Sequence, residues 1–230
     1  MRLAILIPLL FPVASSTAAN NICASLTKQP SVTLEIGKPV RHYRHDQSFD
    51  DLTAQAKSTG VQVRADDVVS GLTSDRRLVR VQAWYEAAQL QSGFCLSPHL
   101  KITVDQRVVT VSMPKEVPSE SCFFQATLEH EHKHAAIAED GIDALLRQEA
   151  AKLRADLAGQ AGFQQNLAGS QQKIDQLKAY TEQRIAQAFV KADQMNAAIA
   201  PPPEEYARVN GLCRGRSEPK PPPWWKRIFG

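Results

Sequence analysis

Thiols are scarce in this chain: four cysteines stand among 230 residues, and no C-x-x-C pair occurs. The missing spacing speaks against a zinc–thiolate site, and the even number favours two disulfides in an oxidising compartment. Long apolar runs are missing too. The N-terminal run Leu3–Val13 is too short to span a bilayer, and nothing later approaches a spanning length. Charge of one sign is also lacking. Lys and Arg number 27 and Asp and Glu 24, so the net charge of +3 is too mild to argue for a nucleic-acid partner. One further absence locates the centre of interest: no Pro or Gly occurs between Ser119 and Asp140. That stretch is rich in Ala, Leu, Glu and Lys, and is predicted to be helical.

Inside it lies His130-Glu131-x-x-His134. On an α-helix, residues i and i+4 lie one above the other, so both imidazoles can face a single ion. Glu131 sits one position round, where it can take a proton without being a ligand. His-rich tracts also bind metal without catalysis, which is the competing reading. Phe123, Thr127, His130, His134, Ile137, Gly141 and Leu145 recur at three- and four-residue spacing, which predicts one buried stripe containing both histidines. Buried imidazoles need partners, and a metal or a core hydrogen bond would serve. His132 falls between the faces, and Ser119 and Ser121 offer N-caps.

Residues 1–19 read as a secretory signal: Arg2, the apolar run, then Ser15 to Ala19 as a small-residue zone cleavable after Ala18 or Ala19. Its removal takes away one Arg and no acid, leaving +2 and an exported, periplasmic or extracellular chain. Short strands are predicted at Val32–Ile36, Val40–Arg44, Val61–Arg64 and Leu78–Tyr85, with a helix from Ser48 to Gly60 opened by a capping-box-like Asp51. Leu100–Val104 and Val108–Val111 flank Asp105-Gln106-Arg107, which reads as a hairpin, and His99 reads as a loop histidine. His42 and His45 read as surface residues. The motif helix is predicted to continue to Ala158. Glycines 159, 162 and 169 mark a turn, and a second long helix runs to about Ala200. The two helices form an antiparallel hairpin, or alternatively a coiled-coil arm for a partner. Residues 201–230, with two Pro-Pro-Pro runs and Trp224-Trp225, form a tail suited to a membrane surface, a partner groove or no structure at all. Of the three pairings four cysteines allow, Cys95–Cys122 with Cys23–Cys213 is preferred, the first tying the strand region to the motif helix and the second tying the ends.

His130-Glu131-x-x-His134 and the following Ala136-Ile137-Ala138-Glu139 resemble the zincin metallopeptidases, and more narrowly a bacterial family of secreted zinc-dependent proteases of unknown function. Ser48 and Leu52 in an early helix, Trp84-Tyr85 in a strand, Cys95 before a hairpin and Pro114 ahead of the motif extend the likeness over residues 32–160. The resemblance implies that His130 and His134 bind Zn2+, that Glu131 is the general base, and that the substrate is a peptide or protein amide. For a third ligand it offers Asp140, whose pattern lacks its usual Gly because Ile137 stands there, or Asp193 from the later helix. Glu139 lies further round.

The expected architecture is α+β: a small, mostly antiparallel sheet with the motif helix at 20–158, the second hairpin helix at 159–200, and the tail. Two functions follow from these features. One is an exported zinc metallopeptidase. The other is a non-catalytic cell-envelope binding or assembly protein with a structural metal site and a helical interaction arm.

Overall fold

The computed structural model describes residues 17–59, 63, 68–199, 208 and 211–213. Most of the predicted signal, all but residue 63 of the strand expected at 61–64, and nearly all of the tail lie outside these residues. The elements in order are α1 Thr17–Leu26, β1 Ser31–Ile36, β2 Val40–Gln47, α2 Phe49–Ser58, β3 Leu72–Leu90, β4 Gly93–Pro114, α3 Cys122–Ala136, a π-helical turn Ile137–Gly141, α4 Ile142–Leu157, β5 Gly162–Gln164 and α5 Ser170–Ala197. The fold is α+β with one five-stranded sheet.

β4 is the strand against which every other strand pairs. β3 runs antiparallel to it from Leu72↔Ser112 to Leu90↔Gly93. Its opposite edge is covered end to end by three short segments: β5 antiparallel at 94–96, then β1 and β2 parallel. The sheet is therefore mixed rather than mostly antiparallel. β1 and β2 keep one register against β4, from Ser31↔His99 to Arg44↔Ser112, and Gly37 N–H donates to Val104 O at 2.8 Å across the gap between them. They behave as one strand interrupted by Gly37-Lys38-Pro39.

The expected hairpin at Asp105–Arg107 is absent. β4 passes straight through it, with Gln106 at φ 48° and a register shift in β3 between Arg76 and Leu78. This is a β-bulge, and its extra residue resets the pleat. Leu100, Ile102 and Val104 face inward before it, and Arg107, Val109 and Val111 after it. One face of a 22-residue strand thus stays buried along its length.

The main core lies between that face and α4 and α5. Leu100, Ile102, Val104 and Val32 pack with Leu145, Leu146, Leu153 and Leu157 of α4 and Ile185, Ala188 and Ala192 of α5. Each buried Leu or Ile contributes about 1.5–3 kcal/mol. α4 and α5 are antiparallel, joined by Arg184 to Glu149 (Nη2–Oε2 2.6 Å) and Tyr180 to Asp156 (3.0 Å). Since α5 supplies part of the core, it is a packed layer and not a free arm. At α2, Ser48 and Asp51 form the full capping box.

The disulfides are Cys23–Cys95 and Cys122–Cys213, not the preferred pairing. α1 lies against the start of β4 and β5, which places Cys23 on Cys95. The first residue of α3 holds the beginning of the tail. The sequence places neither contact, because both join segments more than 70 residues apart. Two disulfides and no free cysteine among the described residues fit an oxidising, exported environment. Among the described residues no helix is long and apolar enough to cross a membrane.

His99 is a strand residue of β4, 4% exposed, not a loop residue. Trp84 lies opposite it in β3 and stacks on it at 5.4 Å. Its Nδ1 is 2.8 Å from Ser31 Oγ, and its Nε2 is 3.8 Å from Glu86 Oε2. Burial lowers its pKa below the ordinary imidazole value, with Lys28 acting in the same direction and Glu86 opposing. The folded chain therefore keeps this ring neutral at a pH where the unfolded chain protonates it. Its contribution is complete above the ordinary value and is lost as pH falls through the folded pKa. Unfolding free energies from urea titrations between about pH 8 and about pH 5 should fall more steeply for wild type than for His99→Gln, by at most about 1.4 kcal/mol per pH unit. Parallel curves would remove His99 from the acid sensitivity.

Candidate metal centre

Ser121 caps α3, accepting from Phe124 N–H at 3.0 Å. The buried positions of the helix are Phe123, Ala126, Thr127, Glu131 and Ala135. The predicted stripe is thus displaced: Glu131 lies on its floor, and His130 and His134 are half-buried on its flank. Two features account for the shift. α3 rests its Ala135 and the following Ala138 on Val109 and Val111, and the π-helical turn adds one residue to the helix before α4 resumes at Ile142.

Arg107 secures that turn. The bulge in β4 directs its buried guanidinium to the helix side, where it donates to Ala138 O (3.1 Å), Glu139 O (2.9 Å) and Gly37 O (3.2 Å) and pairs with Asp143 at 2.6 Å. A strand insertion and a helix insertion are thus joined by one side chain.

His130 Nε2 and His134 Nε2 lie 3.0 Å apart. Two imidazole nitrogens on one zinc, each at about 2.0–2.1 Å in tetrahedral geometry, would stand about 3.3 Å apart, so this convergence fits a shared divalent ion. An N–H···N hydrogen bond between the rings has the same separation. On the far side of His134, Nδ1 is 3.2 Å from Asn196 Oδ1 of α5. Glu131 is 5% exposed. Thr73 Oγ1 of β3 donates its one proton toward Glu131 Oε2 at 2.8 Å, with Glu131 O at 3.1 Å as the weaker alternative. Gly71 lies against the same side chain, and a Cβ there would meet Glu131 Oε1 at 2.8 Å. A side chain at 71 would push the Glu131 side chain aside.

No protein-family model, curated protein or solved structure matches the chain. The zincin likeness therefore rests on the sequence motif.

Glu139, Asp140 and Asp193, the acidic residues considered for a third ligand, are not gathered with the pair. Glu139 is engaged by Arg41 through two bonds, Nε–Oε1 at 2.9 Å and Nη2–Oε2 at 2.6 Å, and these raise the basicity of the guanidinium. Asp140 is exposed. Asp193 is exposed too, and its charge acts on Arg77, whose pKa burial nevertheless lowers. Among the described residues no group of three or more His, Cys, Asp or Glu is gathered for a metal. His132 hydrogen-bonds Tyr43 Oη of β2 at 3.1 Å. With Glu129, Leu128 and Leu212 it lines an open groove of about 430 Å³ on the outer side of α3, which His130, Glu131 and His134 do not line. His45, although exposed, has Nε2 within 3.0 Å of both Pro114 O and Val117 O, holding the approach to α3.

Sequence reading missed Thr73, Gly71, Arg107 and Asn196. Thr73 and Gly71 precede the predicted start of their strand, and Arg107 lay in the expected hairpin. Asn196 is three residues beyond Asp193, the candidate ligand on the later helix.

Proposed function

We propose that the protein is an exported zinc-dependent metallopeptidase that hydrolyses a peptide or protein amide bond, with His130 and His134 as metal ligands and Glu131 as general base. The observation that carries this reading is the convergence of the two Nε2 atoms on adjacent turns of one helix, 3.0 Å apart. When bound, zinc supplies Lewis-acid chemistry: it polarises a carbonyl and makes water acidic enough to attack near neutral pH. The chain's own residues do the rest. Thr73 and Gly71 hold the Glu131 carboxylate in one place, and its role is to accept a proton from the attacking water and return it to the leaving amine. The exported location is periplasmic or extracellular, with the signal removed after Ala18 or Ala19.

Elemental analysis of the purified chain beside His134→Ala tests the metal. About one zinc per wild-type chain and none in the folded variant is the expected result. A wild type that stays metal-free after incubation with zinc would end the proposal.

One observation favours the second reading, a cell-envelope binding or assembly protein with a structural metal: the group α5 presents to His134 is an amide, Asn196, rather than a carboxylate ligand. In that case the Trp-containing tail would be the part that meets a partner or membrane surface, and Glu131 would be dispensable.

A further inference from the structure

α5 is a Gln- and Ala-rich helix whose one candidate ligand, Asp193, is exposed. Its last turn nevertheless reaches the histidine pair. Ile185, Ala188 and Ala192 anchor the helix in the main core, and Arg184 clamps it to Glu149. Met195 packs against the π-helical turn, its Cε 3.6 Å from where a Cβ on Gly141 would stand. Asn196 follows, with Oδ1 3.2 Å from His134 Nδ1. It is carried there by the packing of the helix that precedes it rather than by the contact itself.

The two ring nitrogens of His134 are therefore divided between two tasks. Nε2 faces His130, and Nδ1 faces the amide oxygen. An oxygen can only accept, so it selects the tautomer protonated on Nδ1 and leaves the Nε2 lone pair directed at the position a metal would share with His130. The amide cannot itself ligate that ion, because it sits on the opposite side of the ring.

We propose that Asn196 is a positioning residue for metal binding, so that the end of α5 belongs to the metal site. The proposal rests on the reading of His130 and His134 as ligands. Its chemistry differs from simple packing in one respect: an acceptor of any kind at position 196 should serve, and an apolar side chain of the same size should not. Linkage adds a second consequence. If docking of the last α5 turn favours the metal-ready tautomer, zinc must in turn favour docking of that turn.

The test measures zinc affinity by chelator competition for wild type, Asn196→Leu and Asn196→Asp, with Asn196→Ala in reserve should Leu crowd the helix end. The visible absorption of the cobalt-substituted chains is recorded alongside. Asn196→Leu should bind zinc about 10–100-fold more weakly with an altered cobalt spectrum, while Asn196→Asp binds at least as tightly as wild type. Zinc should also slow amide hydrogen exchange over 190–199 in wild type and not in Asn196→Leu. Equal affinities and equal spectra for wild type, Leu and Ala would overturn the role of Asn196 and leave the histidine site standing. So would an Asp variant as weak as Leu. No zinc bound by wild type would remove both.

Discussion

Glu131→Gln is expected to lower amide hydrolysis by about 10²–10⁴-fold while zinc content and unfolding midpoint stay near wild type. The substitution is close to isosteric. Its amide oxygen can still accept from Thr73 Oγ1, and the glycine at 71 leaves the side chain the space it already occupies. What it loses is the ability to take a proton. A purely structural site has no use for that ability, so this residue separates the two functions. Turnover of an unfolded protein substrate by the purified chain, compared between wild type and Glu131→Gln at matched zinc content, is the measurement. Equal turnover would remove Glu131 from the chemistry, and an intact biological function in the variant would favour the binding protein. Loss of both metal and fold would show that the buried side chain serves packing instead.

Removal of either disulfide should cost about 2–5 kcal/mol in urea unfolding under non-reducing conditions. The bonds close long loops, with separations of 72 for Cys23–Cys95 and 91 for Cys122–Cys213, for which chain entropy alone suggests about 4–5 kcal/mol each. The first secures α1 to the start of the strand that carries the sheet. The second ties the first residue of α3 to the chain beyond α5. Non-reduced peptide mapping should recover Cys23 linked to Cys95 and Cys122 linked to Cys213, and the same spectra should place the mature N-terminus at Ala19 or Asn20. Recovery of a Cys95–Cys122 peptide would refute the arrangement of α1 and the tail.

Much of this fold was legible because the signals are local. Ser121 ahead of a breaker-free run marked the motif helix, and Ser48 with Asp51 marked the start of α2. The strand expected at Leu78–Tyr85 marked the middle of β3, though not its length. The misreadings share a different cause. A polar Asp-Gln-Arg resembles a turn whether the chain reverses or merely bulges, and only pairing with a neighbouring strand decides between them. The disulfides depend on where distant segments dock. At the site, His130, Glu131 and His134 were visible by their spacing. Thr73, Gly71 and Asn196 come from other elements, and no spacing rule connects them to the motif.

The extra residue in the π-helical turn also bears on how this chain tolerates change. Residues 122–136 and 142–157 form one continuous rod, yet the wide turn between them breaks their rotational phase. The histidine-bearing half can alter which side chains it turns toward the sheet without forcing the other half to repack Leu146 and Leu153. The anchor half can in turn adjust to α5 without swinging the histidines away. Arg107 fixes where that joint stands: from β4 it holds the carbonyls of Ala138 and Glu139 and the carboxylate of Asp143, so the two halves vary about a point that the sheet keeps in place.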